Sequence, residues 1–229
     1  MKTIGLIGGM SWESTIPYYQ IINEAVKRRL GGLHSARLIL YSVEFDEIER
    51  CQSSGNWAES ARILGDAALR LEQAGAEMLV ICTNTMHKVA PQIAERISIP
   101  ILHIADATAD ALEAAGMVKV GLLGTKYTMT QDFYKKKLIE RGFEVLIPEA
   151  DEVETVNDVI FHELCVGEIR EESRRNFQKV IEGLKARGAQ GVILGCTEIG
   201  MLIAPADSAL PVFDTTQIHA LRAAELALA

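Results

Sequence analysis

Two stretches of the chain, GAEMLVICTNT ending at Thr85 and GAQGVILGCTE ending at Glu198, repeat one motif in which an apolar run leads directly into a cysteine. Cys82 and Cys196 stand 114 positions apart, and Pro91 and Pro205 keep that offset. KTIGLIGG from Lys2 is echoed by VKVGLLGT from Val118, and IPILHIADAT from Ile99 by LPVFDTTQIH from Leu210. A repeat of this length is half a protein, so the chain is constrained to fold as two related units, each supplying one thiol to an equivalent place. With 229 residues there is enough chain to bury a core in each.

The local pattern gives the class of those units. Short β-branched runs, Thr3 to Ile7, Arg37 to Ser42, Met78 to Ile81, Val118 to Leu123, Glu144 to Ile147 and Val192 to Leu194, are continuous rather than alternating, as strands covered on both faces are. Helical patterns lie between them. Glu13 to Leu30 follows a Ser11 or Ser14 cap and closes at Gly31, while Trp57 to Ala74 spaces Ala61, Leu64, Ala68 and Leu71 by three and four and stops at Gly75. Val153 to Cys165 and Glu171 to Arg187 take those parts in the second half. The expected fold is therefore α/β, two pseudo-symmetric duplicated domains, each an open, mostly parallel sheet flanked by helices, with the active site in the cleft between them. The closing motifs suggest exchanged terminal helices, giving 1–102 plus 214–229 as the first half and 103–213 as the second.

Composition narrows the partners. A net charge of −8 argues against nucleic acid or an anionic membrane surface, both of which reward clustered Lys and Arg. No run approaches the ~18 apolar residues of a membrane span, and the opening MKTIGLIGGMSWES reads as a first strand rather than a signal peptide. Four cysteines without an export signal point to a reducing cytoplasm and free thiols.

Each paired cysteine sits between a strand and residues that cap helices well, Thr83-Asn84-Thr85 after Cys82 and Thr197-Glu198 after Cys196. A thiol near a helix N-terminus is expected to have its pKa lowered, which suits a base. Cys51 and Cys165 have no counterparts at the repeat offset and read as structural. Cys82 and His87 are five apart with no second cysteine or histidine at zinc spacing, so no metal is expected. His87, His103, Asp106, Asp214 and His219 read as structural or orienting groups. GLIGGMSWES invites a nucleotide reading, but Met10 occupies a position where a dinucleotide fingerprint needs Gly, and no phosphate-loop lysine follows. Met10, Ser11, Thr83, Asn84, Thr85, Thr125 and Thr197 instead offer hydroxyl, amide and backbone donors suited to a small carboxylate.

VICTNTMH and VILGCTEIG, together with GLIGGMSWEST, GLLGT and FDTTQIHA, resemble the paired signatures of the aspartate/glutamate racemase family across the whole chain, most like its enterobacterial-type broad-specificity or L-aspartate/glutamate-specific members. The resemblance implies a cytoplasmic, homodimeric isomerase that takes a small amino acid and needs no cofactor. It implies catalysis by Cys82 and Cys196 as two acid/base residues, and substrate binding by Met10, Ser11, Gln52, Thr83, Asn84, Thr85, Thr125, Thr197 and Glu198. Where aspartate-dedicated members carry an Arg and a Lys for the side-chain carboxylate, this chain offers Arg50, Gln52 and Cys165, which sets it apart from strict aspartate specificity. Alternatives that keep the fold are a maleate isomerase with one nucleophilic cysteine, a hydantoin racemase, or a non-catalytic amino-acid-binding protein.

Overall fold

The computed structural model describes all residues, Met1–Ala229. In chain order the elements are β1 (Ile4–Gly8), α1 (Trp12–Leu30), β2 (Leu38–Ser42), α2 (Phe45–Ser53), α3 (Trp57–Gln73), β3 (Met78–Ile81), α4 (Ala90–Ala94), β4 (Ile101–Leu102), α5 (Ile104–Ala114), β5 (Lys119–Gly124), α6 (Lys126–Thr130), α7 (Asp132–Glu140), β6 (Glu144–Leu146), α8 (Ala150–His162), α9 (Glu171–Ala186), β7 (Gly191–Gly195), α10 (Ile199–Leu202), β8 (Val212–Asp214) and α11 (Thr215–Leu228). Single 3-10 turns occupy Thr85–Val89, Leu164–Val166 and Pro205–Asp207. The chain divides into two compact units, Met1–Ile104 with His219–Ala229, and Ala105–Ile218. Both breaks fall inside a helix, at α5 and α11.

The first unit is a four-stranded parallel sheet in the order β2-β1-β3-β4. β1 and β3 are the central pair, with Ile7 opposite Ile81, and every residue of both is buried. Period-two alternation sorts their side chains. Ile7, Leu79 and Ile81 enter a core with Leu64, Ala68 and Leu71 of α3. Ile4, Leu6, Met78, Val80 and Cys82 enter the opposite core with Tyr18, Ile22 and Val26 of α1 and Ala220, Ala223, Ala224 and Ala227 of α11. The parity of β3 thus assigns Cys82 to the α1/α11 layer.

α1 starts where the Ser11 hydroxyl accepts the Ser14 N–H at 3.5 Å, and it ends at Gly31. α3 is capped by Asn56, whose Oδ1 accepts the Glu59 N–H. α2 escaped sequence reading because its cap is Glu44, not one of the usual short polar residues. The Glu44 carboxylate accepts from the Asp46 and Glu47 N–H groups at 3.1 and 2.9 Å.

The second unit repeats the arrangement as β6-β5-β7-β8, all parallel, with Leu123 opposite Leu194 and Gly124 opposite Gly195. Leu123, Val192 and Leu194 pack with Val156 and Ile160 of α8 and Phe177, Ile181 and Leu184 of α9. α7 is tied to α5: Tyr134 Oη donates to Thr108 Oγ1 at 3.2 Å, and Arg141 pairs with Asp110 and Glu113. The Lys135 to Lys137 run lies on α7, where Lys137 pairs with Asp106. α6 and α7 are separate because Gln131 adopts extended backbone between them.

The turn after β1 is shaped by close approach. A Cβ on Gly9 would lie 2.4 Å from the Val43 carbonyl oxygen, and Gly9 holds φ at 88°. Gly55 has a similar φ of 71° but open space around it. Gly9→Ala therefore combines left-handed strain with overlap on backbone, while Gly55→Ala carries the strain alone, about 1–2 kcal/mol. Urea unfolding should show Gly9→Ala losing clearly more stability than Gly55→Ala, and equal losses would contradict the packing argument.

Candidate functional site

Both cysteines follow the last residue of a central strand. In the first unit the Cys82 N–H donates to the Ile7 carbonyl at 2.9 Å, so the β1–β3 ladder carries on to the thiol and sets it beside the turn that follows β1. That turn holds Met10 and Ser11, both buried, and Thr83, Asn84 and Thr85 follow Cys82 as buried residues leading into a 3-10 turn. Gln52 is buried in the last turn of α2. The Cys82 thiol is fully buried, with the Val80 carbonyl 3.9 Å from its sulfur.

In the second unit β5 and β7 end side by side at Gly124 and Gly195, so Thr125 and Cys196 follow neighbouring strand ends. A Cβ on Gly195 would meet the Leu123 carbonyl oxygen at 2.8 Å, which is why a glycine precedes this cysteine. Thr125 caps α6, accepting from the Thr128 N–H at 3.3 Å. The Cys196 thiol donates to Glu198 Oε2 at 2.9 Å, and the Thr197 hydroxyl donates to the same oxygen at 2.9 Å. Thr125, Cys196, Thr197 and Glu198 are all buried.

Met10, Ser11, Cys82, Thr83, Asn84 and Thr85 in the first unit and Thr125, Cys196, Thr197 and Glu198 in the second therefore directly follow the carboxyl ends of the central strands, while Gln52 lies apart in the last turn of α2. The carboxyl edge is the one at which open α/β sheets bind ligands. A groove of about 640 Å³, lined by Ala25, Arg28, Arg29, Leu221 and Leu228, lies instead at the far end of α1, away from the cysteine turn.

Two expectations need correction. The segments after the cysteines are too short to act as helix termini with a developed dipole, and neither Asn84 nor Glu198 makes a side-chain cap bond. Burial decides the thiols instead. It pushes the Cys82 thiol well above its usual range, and at Cys196 burial comes first, followed by the negative charge of Glu198. Burial thus favours the protonated form of both cysteines, and Glu198 is an acceptor for Cys196 rather than a cap.

The other polar residues noted in the sequence find structural work. Asp214 Oδ1 accepts the Thr216 and Gln217 N–H groups at the start of α11, and burial raises its carboxyl. His87 Nδ1 lies 2.8 Å from the Thr83 carbonyl oxygen, and His219 lies between Tyr18 Oη and the Leu102 carbonyl, at 2.9 and 2.8 Å. Sequence spacing placed these groups near the motifs but could not say what they touch. All four cysteines are free thiols, and no group of three or more His, Cys, Asp or Glu side chains is arranged to hold a metal ion.

The sequence profile of the Asp/Glu/Hydantoin racemase family matches residues 7–223. A crystal structure of a candidate Asp/Glu racemase from Yersinia pestis is 55% identical and superposes with a TM-score of 0.92, each chain covered over 100% of its length. An aspartate racemase homologue from Pyrococcus horikoshii OT3 is 38% identical with a TM-score of 0.86, again over 100% of both chains. The broad specificity amino-acid racemase of Bacillus subtilis (strain 168) is 21% identical over 226 residues, covering 93% of this chain and 92% of its own.

The buried thiols carry a pH signature. Each keeps its proton to higher pH in the folded than in the unfolded chain, so above the ordinary thiol value the folded state binds more protons. Stability then falls as pH rises past about 8.5, by about 1 kcal/mol for each thiol over the first pH unit and about 1.4 kcal/mol per unit beyond it. Urea unfolding between about pH 8.5 and 9.5 should show this slope in the wild type and a flatter one in Cys82→Ser/Cys196→Ser.

Proposed function

Because the chain belongs to the Asp/Glu/Hydantoin racemase family, we propose that it is a cofactor-independent amino-acid racemase, cytoplasmic and homodimeric, in which Cys82 and Cys196 exchange the α-proton of one substrate. The observation that carries this reading is the equivalent placement of the two thiols, each directly after a buried central strand in one of two duplicated units. One thiolate removes the α-proton, the electrons of the broken C–H bond pass into the carboxylate as an enolate, and the opposing thiol delivers its proton to the other face of the carbon. The roles reverse for the other enantiomer. General acid/base catalysis supplies about 10²–10⁴ in rate. Donors aimed at the carboxylate as it gains charge supply more, a part we assign to the turns of Met10-Ser11 and Thr83-Asn84-Thr85 in the first unit and to Thr125 and Thr197 in the second.

A base must first lose its proton, and the two thiols face different obstacles. Cys82 is raised by burial alone, and the cationic ammonium of a bound amino acid offsets that cost. Cys196 is hydrogen-bonded to Glu198, so when it acts as the base its proton passes to the Glu198 carboxylate. The substrate class is aspartate, glutamate and a broader amino-acid set, since the proposed binding residues are neutral donors such as Gln52 and the threonines rather than fixed cations. The unequal surroundings of the thiols also suit a second reading, in which Cys196 alone is a nucleophile on an unsaturated dicarboxylate.

A panel of amino acids incubated with cofactor-free protein in D2O, followed by NMR, should show α-proton exchange. Cys82→Ser and Cys196→Ser should each lower racemisation by about 10²–10⁴. Near wild-type racemisation by either variant removes the two-base mechanism, and a covalent adduct confined to Cys196 supports the second reading. Glu198→Gln should alkylate faster at Cys196 at a fixed pH, because removing the neighbouring anion lowers that thiol's pKa, yet lose kcat/KM for racemisation by the same factor from either enantiomer, as an equilibrium constant of one requires.

A further inference from the structure

Behind the cysteine turn of the first unit lies a line of buried hydrogen bonds. Tyr18 Oη is 2.9 Å from His219 Nδ1, and His219 Nε2 is 2.8 Å from the Leu102 carbonyl oxygen at the end of β4. Two residues further on, the Ile104 N–H donates to His87 Nε2 at 3.2 Å, and His87 Nδ1 reaches the Thr83 carbonyl oxygen at 2.8 Å. Tyr18, His87 and His219 are all buried, and the rings of His87 and His219 lie 5.7 Å apart, with His103 4.5 Å from His87.

The partners fix where the protons are. A carbonyl only accepts, so His219 carries its proton on Nε2 and takes the Tyr18 hydroxyl proton on Nδ1. A backbone N–H only donates, so His87 accepts on Nε2 and carries its proton on Nδ1. Both rings are neutral, in opposite tautomers, and every donor points along the line toward Thr83. Burial first, and then the neighbouring His87, push the His219 pKa down to about 3, which keeps the line uncharged.

The end of the line matters because a peptide is planar: fixing the Thr83 carbonyl fixes the Asn84 N–H in the opposite direction. The pseudo-equivalent carbonyl, Thr197, is approached by the Thr216 hydroxyl at 3.4 Å. We propose that His87 is a positioning residue that aims the Asn84 peptide N–H at the substrate carboxylate, and that His219 and Tyr18 form the backing that holds β4 and the start of α5 where His87 needs them. The inference rests on the reading of Cys82 and its turn as part of a racemase site.

Two near-isosteric variants separate positioning from mere stability. The Asn amide nitrogen can stand in for Nδ1, so His87→Asn keeps the bond to Thr83 and loses that from Ile104. The Gln amide oxygen can stand in for Nε2, so His87→Gln keeps the Ile104 bond and loses Thr83. Each removes one buried hydrogen bond and lowers Tm. At a temperature well below both midpoints, His87→Gln should lose about 10–100-fold in kcat with a smaller change in KM, while His87→Asn keeps most of the wild-type kcat. Equal kcat in the two variants overturns the proposal. So does 15N NMR of the wild type if it finds the His87 proton on Nε2, a readout that needs no activity. Absence of α-proton exchange in the wild type, with the tautomers as assigned, strikes the racemase reading instead.

Discussion

The central parallel pair of each sheet, β1 with β3 and β5 with β7, is the constraint on which the rest hangs. Its residues are buried on both faces, so register is set by packing and cannot slip by one without sending apolar side chains to the wrong layer. Fixed register brings two strand ends almost level: Ile81 at the end of β3 stands opposite Ile7, one residue short of the end of β1, and Gly124 stands opposite Gly195. The chain must then leave both ends within a few ångströms of each other, and the glycines at these ends are what that crowding permits. A thiol directly after one strand and a cap-forming turn directly after its neighbour follow from the same ladder.

Symmetry of backbone did not bring symmetry of chemistry. Glu198 Oε2 accepts a hydrogen bond from the Cys196 thiol at 2.9 Å, while the corresponding position after Cys82 is Asn84. The carbonyl after Cys82 is engaged by an imidazole, and the one after Cys196 faces a threonine hydroxyl. A duplicated scaffold that keeps two equivalent strand ends can vary the second residue past each cysteine at little cost to its core, because those residues lie beyond the ladder. That is where one thiol can be made unlike the other.

Much of this was legible in the amino-acid sequence, and what was not has physical causes. The buried strands were readable because continuous β-branched runs have few other fates, and α1 and α3 because Ser11, Gly31 and Gly75 mark their ends. α2 was not, since Glu44 caps it with a side chain that seldom does so. The break between α6 and α7 depends on the extended backbone of Gln131, which no residue type demands. The candidate site residues could be named from motif and resemblance, but the ionisation of the thiols came out reversed. Sequence shows a cysteine before cap-forming residues, whereas the direction of the shift follows from how completely the packed layers cover it, the α1/α11 layer at Cys82 and the α8/α9 core at Cys196.

The first unit is discontinuous, and this bears on when its thiol is shielded. The cover over Cys82 includes Ala220, Ala223, Ala224 and Ala227, which are synthesised only after the whole of Ala105–Ile218. The second unit is one uninterrupted segment, so its contacts can form without waiting for a distant piece, while the first must close a loop spanning the entire second unit before its α1/α11 layer is complete. Until those alanines are in place Cys82 lacks part of its cover, and the burial that favours its protonated form is complete only with the last helix.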